Sequence, residues 1–204
     1  MKETTNIEER LIASFRELVM TEPVEKITIK EIADGAGVIR TTFYYHFQDK
    51  YELIERIIRD NLIAPLEDLL QQHRVNDSFL EILIRLDEDR AFYRRLAKME
   101  GQNSFEELLM QSLSAMLQEE IRLLGPLEDG FLNHKKYPWM TEKFVADYYA
   151  QTITFTLITF LNTDPPATPQ EASEVFNYVV RHSVNEILLD WYWKKQPAHM
   201  RDGT

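Results

Sequence analysis

Apolar residues return every three or four positions through nearly the whole chain and almost never alternate, so the pattern predicts helices and no sheet. The first stripe is Ile7, Leu11, Phe15, Leu18 and Val19. It predicts a helix from Thr5 to about Met20, opened by a capping box of Thr5 and Glu8 and broken at Glu22-Pro23-Val24. Thr28 and Glu31 form a second capping box, which starts a helix at Ile29 with Ile32 and Ala33 turned inward. Gly35 and Gly37 mark a reversal, and Gly37 can take a left-handed backbone at little cost because it has no Cβ. A third helix then runs from about Ile39 to His46, with Phe43 and Phe47 sharing one face. Asp49 and Glu52 cap a fourth, which carries Leu53, Ile54, Ile57, Ile58 and Leu62 toward Pro65, where proline must kink or end it.

Beyond Pro65 the pattern predicts helices over Leu66 to His73, from a cap of Ser78 and Glu81 through Leu86, over Asp87 to Met99, and from a cap of Ser104 and Glu107 through Leu124. Gly125-Pro126 opens an irregular stretch to residue 140. The last two helices are Thr141 to about Asn162 and, from the start signal Thr168-Pro169-Gln170-Glu171, a final one to about Lys194. Both carry more apolar surface than one buried stripe needs. Phe144, Tyr148, Ile153, Phe155, Leu157, Ile158 and Phe160 lie on the first, and Val175, Phe176, Val179, Val180, Val184, Ile187, Leu188 and Trp191 on the second. Such a surplus face implies a partner. The class is all-α, without internal repeats and without a Gly/Ser linker, so the fourth helix itself joins the first three to the rest.

The polar face of the third helix is unusual. Arg40, Thr41, Thr42, Tyr44, Tyr45 and His46 crowd it, whereas an ordinary solvated helix face favours Glu and Lys. These side chains offer hydrogen-bond donors and aromatic rings suited to sugars and thymine methyls. A short helix, a tight turn and a second short helix also form the geometry that seats a helix in the major groove of B-DNA.

Ile32-Ala33, Ala36-Gly37-Val38, Thr42-Phe43-Tyr44-Tyr45-His46-Phe47 and Asp49-Lys50 together resemble the DNA-binding signature of TetR-family transcriptional regulators. The resemblance implies a helix-turn-helix domain over residues 1–48 and a helical regulatory and dimerisation domain over residues 49–204, about nine helices in all. By it, Arg40, Thr41, Tyr44 and Tyr45 face bases or flanking sugars, Thr42, His46 and Lys50 contact phosphates, and Lys30 reaches the backbone or a base edge. The two C-terminal helices pair with their copies in a homodimer through Phe155, Ile158, Phe176, Val180, Val184, Ile187 and Trp191. The implied function is a repressor released from a palindromic DNA operator by a small-molecule effector. The alternative is an activator controlled by a protein partner, because Asp87 to Tyr93, Gly101 and Ser104-Phe105 are weakly similar to the branch that includes dihydroxyacetone kinase operon regulators. One residue departs from the family pattern: Ile39 stands where a small polar cap is usual, which removes a stabilisation of about 1 kcal/mol from the helix start.

Composition changes this picture little. A chain of 204 residues with 44% hydrophobic content can build a real core. With no cysteine there is neither disulfide framework nor thiolate chemistry. The N-terminus lacks the apolar run of a signal peptide, and the longest apolar stretch, Ile153 to Leu161, holds three threonines and falls far short of a membrane span, so a cytoplasmic protein is expected. The net charge of -11 sits mostly on the C-terminal part, and Thr28 to Lys50 is balanced. A balanced helix pair still binds DNA if its cations stand at the groove edges, while an acidic body orients it. His46, His73, His134, His182 and His199 show no metal-ligand spacing, and no phosphate-cradling glycine loop or nucleophile elbow occurs, so neither metal, cofactor nor catalysis is expected. Phe92, Tyr93, Met99, Met110, Met116, Trp139 and Tyr149 either line an apolar effector cavity or simply fill the core.

Overall fold

The computed structural model describes residues 2–124 and 138–188 and is helical, with no strand among the described residues. Helix α1 is Lys2–Thr21, α2 Ile29–Gly35, α3 Arg40–His46 and α4 Lys50–Ile58. A π-helical turn, Arg59–Ile63, leads into α5, Ala64–Gln71. Then follow α6 (Val75–Glu88), α7 (Arg90–Leu96), α8 (Phe105–Leu124), α9 (Glu142–Asn162) and α10 (Pro169–Arg181). A single apolar core runs through them, from Leu11 and Phe15 of α1, past Phe43 of α3 and Ile54 of α4, to Phe92 of α7 and Leu157 of α9.

Several starts are fixed by local chemistry. Thr28 Oγ1 accepts from the Glu31 amide at 3.2 Å while the Glu31 carboxylate accepts from the Thr28 amide at 2.8 Å, and Thr168 and Glu171 repeat the arrangement ahead of α10. Thr141 caps α9 and Ser104 accepts from the Glu107 amide at the start of α8. The π turn answers to Pro65. Proline has no N–H to continue the ladder and its ring crowds the preceding turn, and the Ala64 amide reaches back to the Arg59 carbonyl, so the helix widens and runs on instead of ending.

Several expected boundaries move. Helix α1 begins at Lys2, so Thr5 lies inside it. Helix α6 begins at Val75, and Ser78, expected as its cap, is buried inside with its hydroxyl donating to the Val75 carbonyl. The break expected after Leu86 falls at Asp89, and α7 ends at Leu96. The last helix, expected to continue to Lys194, stops at Arg181. His182 turns extended, and Ser183 with Glu186 builds a new capping box: the Ser183 amide donates to the Glu186 carboxylate at 2.7 Å, and the Glu186 amide to Ser183 Oγ at 3.2 Å. Helix resumes at Val184. Trp191, Lys194 and most of the irregular stretch after Leu124 lie outside the described residues.

Candidate nucleic-acid interface and body cavity

The turn between α2 and α3 is shaped from α1. Ser14 Oγ donates to the Ile32 carbonyl at 2.9 Å, and a Cβ on Gly35 would stand 2.3 Å from that oxygen, so the close approach requires glycine. Gly37 takes φ 66°, and the Arg10 guanidinium donates to the carbonyls of Ala36 and Gly37. Helix α3 leaves this turn with Ile39 as its N-cap, 71% exposed and making no capping bond. Phe43 is fully buried beneath it and stacks obliquely on Phe47, with ring centroids 5.7 Å apart.

With Phe43 inward, the opposite face is bare. Tyr45 is 85% and Tyr44 47% exposed, Arg40 and Thr41 are exposed, and Thr42 is half-buried. Arg40 donates to the Tyr44 hydroxyl at 2.8 Å, one turn along, which holds both side chains in a preset arrangement. Lys30 is exposed on α2, with Asp34 at 3.4 Å as a surface partner. All of these residues are at least partly accessible to solvent on α2 and α3.

Two residues expected at phosphates are drawn inward. The His46 side chain is 4% exposed, and its Nδ1 lies 3.3 Å from Glu8 of α1, whose other carboxylate oxygen meets Arg56 of α4 at 3.0 Å. Glu8 thus ties the end of α3 to α4. Lys50 Nζ donates to the carbonyls of Val24, Glu25 and Ile27 at 2.6, 3.1 and 2.9 Å. An ammonium has three N–H donors, so none is left for a phosphate. Burial also lowers the Lys50 pKa, although Glu25 and Asp49 pull it back up. Sequence reasoning missed Arg10 and Ser14. Their only signal is their placement, one turn apart beside the buried Leu11 and Phe15 of α1.

A second seam joins this unit to the body. Arg16 of α1 pairs with Asp89 and lies over the Phe92 ring at 4.2 Å. Burial raises the pKa of Tyr93, the next residue, against the pull of hydrogen bonds with Asn61 in the π turn and with Arg16. On the far side of the same short helix, Arg90 donates to the Ala167 carbonyl at 2.8 Å and covers Phe160 of α9 at 4.1 Å.

Helices α5, α6, α8, α9 and α10 line a cavity of about 350 Å³ that is partly open to solvent, walled by residues such as Leu66, Phe79, Ile82, Leu113 and Ile153. Of the residues weighed for such a cavity, Met116 and Tyr149 line it. The others do not. Phe92, Tyr93 and Met99 are buried in the core around α7, Met110 borders a shallow surface groove with Asp147, and Trp139 is exposed with its ring edge-on to Phe144 at 5.2 Å. Helix α7 packs against α1 and not around the cavity, which the stripe pattern of one helix does not reveal.

The surplus apolar face is present on the described residues. Phe155 is 66% exposed, and Val180 and Val184 are exposed, whereas Ile158 and Ile187 are half-covered. Phe176 faces inward, stacked on Phe79 at 3.8 Å, because α10 leans on α6.

Residues 11–57 match the model of bacterial regulatory proteins of the tetR family, and residues 73–182 match that of a transcriptional regulator C-terminal region. The chain is 24% identical over 157 residues to the HTH-type dhaKLM operon transcriptional activator DhaS of Lactococcus lactis subsp. lactis (strain IL1403), covering 75% of this chain and 78% of that one. Among solved structures, the dihydroxyacetone kinase operon activator DhaS superposes with a TM-score of 0.57 at 19% identity, over 85% of this chain and 94% of that one. NalD, the secondary repressor of the MexAB-OprM multidrug efflux pump in Pseudomonas aeruginosa, gives 0.56 at 19% identity, over 84% and 93%. With its C-terminal match spanning more than half of its length, the chain belongs to the TetR family and is a DNA-binding transcriptional regulator.

Proposed function

We propose that the chain is a homodimeric repressor that holds a palindromic operator and releases it when a small molecule enters the body cavity. The carrying observation is the pairing of a bare, preset face on α3 with an apolar cavity in the body that the helix pair does not touch. Residues 1–48 read DNA and residues 49–204 regulate and dimerise. Arg40, Thr41, Tyr44 and Tyr45 face bases or sugars, and Thr42 and Lys30 supply backbone contacts. His46 and Lys50 hold the reading unit in shape. Phe155, Ile158, Val180, Val184 and Ile187 belong to the face that meets the second copy, which sets two recognition helices on successive major grooves. No described helix is long and apolar enough to cross a membrane, in keeping with a cytoplasmic protein.

Release needs only an effector that binds better to the body shape whose recognition helices mismatch the half-sites. Two routes carry that change: α4, continuous through the π turn with α5 at the cavity wall, and α7, which links α9 to α1. A second reading, an activator that answers to a protein partner, is favoured by the relative named as an activator. Purified protein mixed with DNA from upstream of its own gene tests the first reading. A sequence-selective shift at moderate salt and reduced transcription in vitro are expected. No selective shift overturns DNA reading, and increased transcription replaces repressor with activator.

A further inference from the structure

The polar residues around the body cavity are Asn76, Ser78, Tyr149, Asn177 and Arg181. Ser78 Oγ already donates to the Val75 carbonyl at 2.7 Å, and the Asn177 amide to Ser173 Oγ at 3.3 Å. Arg181 is different. It is exposed at the cavity, is the sole charged residue on its wall among the described residues, and has no hydrogen-bond or ion-pair partner among them, in a chain of net charge -11. Asp77, in the first turn of α6, is bonded to Arg74 at 2.8 Å and is not on the wall.

Position adds to chemistry. Arg181 is four residues after Asn177 on α10, so the two share a face. Phe79 stacks on Phe176, and both Asn76, one turn before Phe79, and Arg181, beyond Phe176, reach the same cavity. The wall thus carries one exposed cation and the amides of Asn76 and Asn177, while Leu113, Leu117, Ile121 and Ile153 line it from α8 and α9. Its volume lies at the small end of the range of about 300–1,000 Å³ usual for small-molecule sites. A ligand that covered the guanidinium without pairing it would strip water from a charge and return nothing; a carboxylate meets the fork with two charge-assisted hydrogen bonds.

We propose that the cavity takes a small amphiphilic monoanion, its apolar body among the α8 and α9 side chains and its single carboxylate on Arg181. The proposal rests on the effector reading of this cavity, and names the ligand class for it.

The test is calorimetric titration of the full chain with decanoate, decanol and decyltrimethylammonium near neutral pH. Decanoate binds at least about tenfold more tightly than decanol, and the cation most weakly. In Arg181→Gln the decanoate affinity falls to that of decanol, which itself stays unchanged. Met116→Trp, which fills the cavity from a half-buried position, removes binding of both. Equal affinities in the wild type, a preference for decanoate that survives Arg181→Gln, or decanoate binding that survives Met116→Trp overturns the proposal. Anisotropy of the labelled upstream DNA, read in parallel, separates the two claims. Arg181-dependent binding without DNA release overturns the effector reading and leaves the ligand class standing, and decanoate-driven release that ignores Arg181 does the reverse.

Discussion

Around the turns of the DNA-binding half, Arg10, Ser14 and Lys50 reach across more than fifteen residues of sequence to grip backbone carbonyls; around the body cavity, walls meet through contacts such as Phe79 on Phe176. Directed bonds to a carbonyl fix position to a fraction of an ångström, whereas apolar surfaces slide and repack at small cost. The turns that present the recognition helix are pinned by directed bonds, whereas the wall of the proposed effector cavity is held largely by apolar contacts, even though the body has long-range bonds of its own, such as Arg90 to Ala167.

Truncation should expose the contrast most strongly. Phe43→Ala, beneath the recognition helix, is expected to cost about 3–5 kcal/mol in urea unfolding. Met116→Ala, which only enlarges an existing cavity, should cost about 1 kcal/mol. Similar losses at both sites would erase the distinction. Next, Lys50→Ala should destabilise the protein by about 1–3 kcal/mol, because three carbonyls lose their donor. Its DNA affinity should fall at every salt concentration without a change in salt slope, while Lys30→Ala lowers that slope by about one. A lower slope for Lys50→Ala would return its ammonium to the phosphates.

Gly35→Ala sharpens the account of the turn. Its new Cβ meets Ser14 Oγ, for a loss of about 1–3 kcal/mol, and Ser14→Ala in the same chain should recover part of it. Strictly additive losses would exclude that clash as the cause. Ile39→Ser, a smaller change, should stabilise α3 by about 0.5–1 kcal/mol in thermal unfolding. The gentlest effect is on pH. Hydrogen bonds from Thr28 and Thr168 hold the Glu31 and Glu171 carboxyls below their ordinary value of 4.5. The stability they add is therefore complete above pH 4.5 and drains away as pH falls through the lowered values. Glu31→Gln together with Glu171→Gln should flatten that part of the acid unfolding curve.

The same contrast explains what the sequence could disclose. The boxes at Thr28 and Thr168, the caps at Ser104 and Thr141 and the glycine turn lie within three or four residues of their partners, so they are written locally. The Ser183 and Glu186 box was equally readable, and the apolar run past it concealed the break at His182. Ser78 shows the opposite hazard: a serine followed three residues later by Glu81 that fits the box pattern and is buried inside a helix already begun. His46 and Lys50 depend on Glu8 and on the carbonyls of Val24, Glu25 and Ile27, partners more than twenty residues away. The cavity needs five helices at once, and Phe92 or Met110 carries no mark that separates a wall from a core. The bare aromatic face of α3 was legible because it breaks a composition rule within seven residues.

The π turn before Pro65 has a mechanical consequence. Because the helix widens there and does not break, α4 and α5 form one rod from Lys50 to Gln71, about 33 Å long at a rise of about 1.5 Å per residue. One end carries the Lys50 clamp, and the other presents Leu66 and Leu70 to the cavity. A tilt of about 5° about the cavity end moves the clamp by about 3 Å, and in the proposed dimer the two-fold copy would move its own clamp by the same amount. The separation of two recognition helices, set against half-sites about 34 Å apart, would then change by several ångströms, enough to put both out of step with the grooves.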